Sequence, residues 1–203
     1  MAVKLKTKAQ LLDKLNSYAI TPDDYCVLFK ERIKNNLLEC PEILHCLNNK
    51  EFEKELFNDD GTINYEGDWS RYHGVNILPY LFLSQVQDSV TNYLCYNVNY
   101  TEQPTYNSFE CYMQITFTVL IDSEDAIDPT TGIARHDLIG SIIRERINWS
   151  HVFNTQCELI SNKESITDTN YVVRTLTFRT TVPNSVVRTE KGVTRAINKN
   201  VWK

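Results

Sequence analysis

An α+β fold, with an antiparallel sheet of about four strands and a helix packed on one of its faces, is predicted for this chain by three observations. Helical periodicity fills the first 57 residues, an unbroken apolar alternation runs over 109–121, and one further helical stretch separates two pairs of strand-like segments. An order of helices, strand, strand, helix, strand, strand lets each strand pair form a hairpin or close across a single helix, so the helices collect on one side of the sheet.

The helical part begins at residues 8–19, where Ala9, Leu11, Leu12, Leu15, Tyr18 and Ala19 recur at three- and four-residue spacing and form one apolar stripe. Thr21, Pro22, Asp23 and Asp24 then read as an N-cap, a proline at the first helical position and two carboxylates in the positive first turn. They open a second helix to about Leu38, with the stripe Tyr25, Leu28, Phe29, Ile33 and Leu37. Pro41 stops or restarts it, and Leu44, Leu47, Phe52 and Leu56 carry a weaker helical pattern up to the turn at Asp59, Asp60 and Gly61. Residues 1–57 are therefore a helical segment and 58–75, punctuated by Gly61, Gly67 and Gly74, a linker or exposed loop.

Residues 76–183 make the α+β core. Phe109, Cys111, Met113, Ile115, Phe117, Val119 and Ile121 alternate without a break, as a long strand with one buried face requires. Leu94, Tyr96, Val98 and Tyr100 form a shorter alternation before it, and the polar TEQPTYNS between them reads as a hairpin loop. After an acidic loop, 122–132, a helix over about 133–149 places Leu138, Ile139, Ile142, Ile143 and Ile147 on the side that packs on the sheet. Strands over about 156–161 and 171–182, the latter with Val172, Leu176, Phe178, Thr180 and Val182 on one face, flank the polar linker NKESITDTN as a second hairpin. Residues 184–203 read as an extended arm. Arg188, Lys191, Arg195, Lys199 and Lys203 against Glu190 give it a net charge of +4 before the terminal carboxylate.

Composition bounds the function. A net charge of −5 disfavours a general nucleic-acid binder, and the start of the chain has neither the apolar region of a secretory signal nor a stretch long enough to span a membrane. Cys26, Cys40, Cys46, Cys95, Cys111 and Cys157 lie in a chain that can build a core, so they read as reduced thiols rather than a disulfide framework.

Candidate chemistry is sparse, and no enzyme is expected. There is no nucleophile elbow, phosphate loop or dinucleotide fingerprint. Asp122, Glu124, Asp125 and Asp128 are the best candidates for a metal or acid–base site, yet they lack the spacing of a calcium loop, and a solvated loop before a helix needs the same residues. Glu158 and Lys163 do not complete a nuclease motif with Asp122. Cys40, His45 and Cys46 are clustered, but neighbours on a helix diverge, and zinc needs convergence. His136, between Arg135 and Asp137 at a helix start, reads as a surface or cap-region group. No cofactor and no metal are assigned.

Two features point to partners instead. Tyr93, Tyr96, Tyr100, Tyr106 and Tyr112 gather around the first hairpin, where they serve either sheet-face packing or a subunit interface. In the arm, Val186, Val187, Val193, Ile197, Val201 and Trp202 interleave with the basic residues, including Arg188 and Arg195, and suit a segment that orders on a neighbour.

From about Asn76 to Arg188 the chain resembles phage tail-terminator and tail-completion proteins. The resemblance is carried by FECYMQITFTVLIDS, the acidic loop, ARHDLIGSIIRERI, CELISNKES and YVVRTLTFRTTV, and the Asn-, Lys- and Ile-rich wording is similar to proteins of crAss-like phages. The resemblance implies a structural virion protein at the head–tail junction, assembled in the host cytoplasm into rings of six or twelve copies between portal and tail proteins, with DNA passing through the lumen. Competing readings are a metal-dependent DNA-processing enzyme using the acidic loop and a monomeric adaptor module.

Overall fold

In the computed structural model, which describes residues 7–18, 25–81, 91–101, 109–166, 170–184, 186–188 and 194–196, the long alternating segment becomes the central strand of a five-stranded mixed sheet. The strands are β1 (Ile77–Leu78), β2 (Tyr93–Tyr100), β3 (Glu110–Asp122), β4 (Cys157–Ile166) and β5 (Tyr171–Pro183), in the order β1-β2-β3-β5-β4. The pairings β2–β3 and β5–β4 are antiparallel, as the two hairpins predicted; β3 also pairs with β5 antiparallel, and β1 joins the edge in parallel. The fold class expected from the sequence is the one observed, with a fifth, two-residue strand added.

The helices are α1 (Lys8–Tyr18), α2 (Tyr25–Leu38), α3 (Pro41–Cys46), α4 (Glu53–Leu56) and α5 (Arg135–Ile147). One hydrophobic core joins the helical segment to the sheet. Phe29, Ile33 and Leu37 of α2 and Ile139, Ile143 and Ile147 of α5 lie with Tyr96, Ile115, Phe117, Leu176 and Phe178 in one buried cluster. The region expected to carry a single third helix is divided, because residues 47–52 turn through Asn48 in the left-handed region (φ 49°), which Asn tolerates better than most residues. The proline-capped entry to α2 expected at Thr21–Asp24 lies outside the described residues.

The segment 58–75 is tied to its neighbours. Asn64 N–H donates to the Leu56 carbonyl at 2.9 Å, Tyr72 is buried edge-on to Phe52 with centroids 5.1 Å apart, and Trp69 Nε1 donates to the Glu55 carbonyl at 2.9 Å. Gly67 makes that approach possible, since a Cβ there would lie 1.9 Å from the Glu55 carbonyl oxygen, inside any tolerable contact. Gly67→Ala is expected to cost about 1–3 kcal/mol, as overpacking against backbone does. The midpoint of a urea titration checks it, and an unchanged midpoint would show that the turn yields freely.

Two segments depart from expectation. β4 runs through the polar NKES to Ile166, longer than predicted, with a bulge between Leu159 and Ser161. The bulge changes which face the strand's side chains take: Leu159 pairs with Phe178 before it, while Asn162 pairs with Leu176 and Glu164 with Arg174 after it. Asn162 and Glu164 thereby join the helix-covered face, the reorientation a bulge produces. In the C-terminal arm the described residues form a separate hairpin, β6 (Val186–Arg188) with β7 (Thr194–Ala196), in which Val187 opposes Arg195.

Candidate functional site

The acidic loop folds around a buried cation supplied by the protein. Asp122 caps the following 3₁₀ turn by accepting from Glu124 N–H at 2.9 Å, and Glu124 is exposed. Asp128 and Arg135 are each 3% exposed, with Arg135 Nη1 3.3 Å from Asp128 Oδ1 and its Nε 3.5 Å from Asp125 Oδ1. These contacts are ionic rather than aligned hydrogen bonds. The remaining lone pairs are met elsewhere: Asp128 Oδ2 accepts from Thr131 N–H (2.9 Å) and Oγ1 (2.8 Å), and Asp125 accepts from Asn48 Nδ2 (2.8 and 2.9 Å) and Asn92 Nδ2 (2.6 Å). Burial opposes the charge of Asp128. The Thr131 hydrogen bonds, Arg135 and His45 outweigh it and hold the carboxyl below the usual carboxylate range.

Buried Asn92 extends this network. Its Oδ1 accepts from Asp122 N–H at 3.0 Å, its Nδ2 also reaches the Leu47 carbonyl at 3.2 Å, and its own carbonyl accepts from Asn76 Nδ2 at 2.9 Å. Asn49 Nδ2 donates to Asn76 Oδ1 at 2.6 Å. The loop expected to be solvated is thus a polar latch joining the end of the sheet, the turn after α3 and the start of α5. The Arg135 guanidinium holds the place between Asp125 and Asp128 that a metal ion would need. The adjoining cleft, lined by His45, Asn48, Phe57, Asp128 and Arg135 among others, holds about 100 Å³, well short of the roughly 300 Å³ at which small-molecule pockets begin.

Cys40, His45 and Cys46 do not converge. Cys40 Sγ donates to the Glu42 carboxylate at 3.1 Å, and His45 stands edge-on to Phe57 and 3.9 Å from Asp128. Among the described residues no two cysteines form a disulfide, and burial raises the Cys40 and Cys46 thiols to about 11 and Cys157 to about 12, so these three are neutral at physiological pH.

The tyrosines divide by strand face. Tyr96 is buried against Phe117 in the main core, which places it with sheet-face packing, one of the two readings open for these tyrosines. Tyr100 packs partly buried against the same core, and Tyr93 packs beside Tyr171 on the opposite face. Tyr112 is exposed, with the Arg179 guanidinium 6.0 Å from its ring centre. Tyr106, Ile197 and Trp202 lie outside the described residues, while Arg188 and Arg195 belong to the β6–β7 hairpin.

Sequence reasoning missed the cluster at the start of α5. His136 is buried, not a surface group, because it opens the stripe that continues through Ile139, Gly140, Ile143 and Ile147. That spacing was the available signal. Nε2 of His136 lies 3.4 Å from Glu164 Oε1 and 3.6 Å from Asp137 Oδ1, while neither ring nitrogen makes a hydrogen bond within the protein. Arg174 Nη2 bonds Asp137 Oδ1 and lies 3.4 Å from Glu164 Oε2, and its Nη1 donates to Asn162 Oδ1 at 2.9 Å. Arg174 crosses α5 at Gly140, where a Cβ would lie 2.6 Å from its Cδ.

Among the described residues, no helix is long and apolar enough to cross a membrane. No curated protein matches the chain. The YomW family matches residues 41–180, from the start of α3 to within β5, and so takes in both the polar latch and the His136 cluster. With more than half its length matched, the chain belongs to the YomW family, which is phage-derived.

Proposed function

We propose that this protein is a structural component of the phage virion that assembles into a ring of six or twelve copies at the head–tail junction, in the manner of a tail terminator, with no catalytic role of its own. Portal or connector proteins on one side and tail proteins on the other are its neighbours in this reading, and DNA passes through the lumen. The observation that carries it is α1. Its leucine stripe, Leu11, Leu12 and Leu15, is 46%, 47% and 54% exposed although the helix is amphipathic. A stripe built for burial but left outside the core suits a contact between subunits. The β6–β7 hairpin supports the same reading, since it pairs with itself outside the main sheet. Head-to-tail contacts need complementary patches on different sides of one subunit, and a leucine helix and a basic hairpin are two such elements.

The test is the solution mass of the full chain across concentration, with negative-stain images, alone and mixed with portal rings. Closed rings are expected. Replacing Leu11, Leu12 and Leu15 together by Ser, or deleting residues 184–203, should reduce them to smaller species while the circular dichroism spectrum stays unchanged. A monomer under every condition, portal included, would overturn the reading.

A further inference from the structure

We propose that His136, Asp137 and Glu164 form a binding site for a divalent transition metal of the zinc class, which ties the start of α5 to the bulged edge strand β4. Their ligand atoms all lie within 4.8 Å of one another. The two separations from His136 Nε2, 3.4 and 3.6 Å, are long for hydrogen bonds. They match the edge of a tetrahedron around zinc, which ligand bonds of about 2.0–2.2 Å set at roughly 3.4 Å. The imidazole is the second, independent indication. This 6% exposed side chain makes no hydrogen bond within the protein through either nitrogen, and a metal on Nε2 would satisfy that one of the two.

The surroundings fit the same assignment. Arg174 holds Glu164 through Oε2, leaving Oε1 turned to His136 as an outer-shell partner orients a metal ligand, whereas on Asp137 it bonds Oδ1, the oxygen facing His136, so a metal there would take that oxygen's second lone pair. Gly140 gives Arg174 its path, and the β4 bulge puts Glu164 on the helix side. Glu164 is 54% exposed and free to close the remaining edge. One imidazole with two carboxylates favours zinc-like ions over magnesium or calcium, which take all-oxygen shells. With three protein ligands, the fourth position is left to solvent or to a group from a neighbouring molecule. The site is separate from the polar latch and does not depend on ring assembly.

The full, tag-free chain, stripped with chelator, is titrated with zinc chloride by calorimetry and with cobalt chloride by visible absorption. One zinc per chain is expected, with the intense cobalt bands of a four-coordinate site and a zinc-dependent rise in melting temperature. Glu164→Gln, at an exposed position, should fold normally and weaken zinc binding at least about tenfold, and His136→Asn should abolish it. Zinc uptake unchanged in Glu164→Gln, weak six-coordinate cobalt bands, thiolate-to-cobalt charge transfer, or no uptake by the wild-type chain would each overturn the assignment.

Discussion

Arg135→Met is expected to lower the unfolding free energy by about 3–5 kcal/mol, the cost of breaking a buried ion pair by removing one partner. Arg135 and Asp128 are both almost wholly buried, so the methionine leaves an anion that water cannot reach. The Thr131 hydrogen bonds still serve Asp128, and Asn48 and Asn92 still serve Asp125, which sets the expectation within that range rather than above it. Removing both charges as Arg135→Met with Asp128→Leu should recover much of the loss, because a packed apolar pair replaces an ionic one. Acid supplies a second readout. The folded Asp128 has a lowered pKa, so its contribution is fully present above the unfolded carboxylate value of about 3.9 and disappears as pH falls through the lower folded value. Without Arg135 that lowering shrinks, and the variant should lose less further stability on acidification than the wild type. Urea unfolding between pH 3 and 7 measures both effects. An Arg135→Met variant within about 1 kcal/mol of wild type at pH 7 would mean that the latch is no more than a surface contact.

The latch and the His136 cluster also show where the sequence stops being readable. The strands that line the core were legible because burial of one face forces a two-residue period, and β3 keeps that period from Cys111 to Ile121. α5 was legible for the corresponding helical reason. β4 was foreshortened because an edge strand buries little: beyond the bulge Asn162, Lys163, Glu164 and Ser165 are polar and exposed, so no alternation marks them. β1 spans two residues, too few for any period. Arg135 and His136 could not be placed because their partners are remote or non-periodic. Glu164 reaches His136 only through the β4 bulge, and Asp125 meets Asn48 across 77 positions of chain. For α1 the reverse holds. Its period revealed the helix, but a period says only that a face is apolar, not that this chain covers it.

Phe117→Ala should have an effect as large as the loss of Arg135, about 3–5 kcal/mol, and its neighbours on β3 turn that value into a test of the sheet's two faces. Phe117 is fully buried at the middle of the central strand, opposite Tyr96 on β2 and Leu176 on β5, and meets the Phe178 ring edge-on with centroids 5.8 Å apart. Close packing from both helices and sheet leaves the cavity little room to collapse, so most of the lost contact is not recovered. Thr118, the next residue, points to the outer face, and its replacement by Ala should stay within about 0.5 kcal/mol. Leu120 lies on that outer face too, but inside the small cluster of Leu78, Cys95, Tyr171 and Val173 that the main core does not include. Its loss is expected near 2 kcal/mol, the low end for a buried Leu→Ala change, because a cluster under no helix relaxes more readily. Thermal or urea unfolding of the three variants side by side gives the ranking Phe117, Leu120, Thr118. Equal losses at Phe117 and Leu120 would instead mean that the outer face is packed as firmly as the helix-covered one, and the sheet would then have two cores rather than one core and a patch.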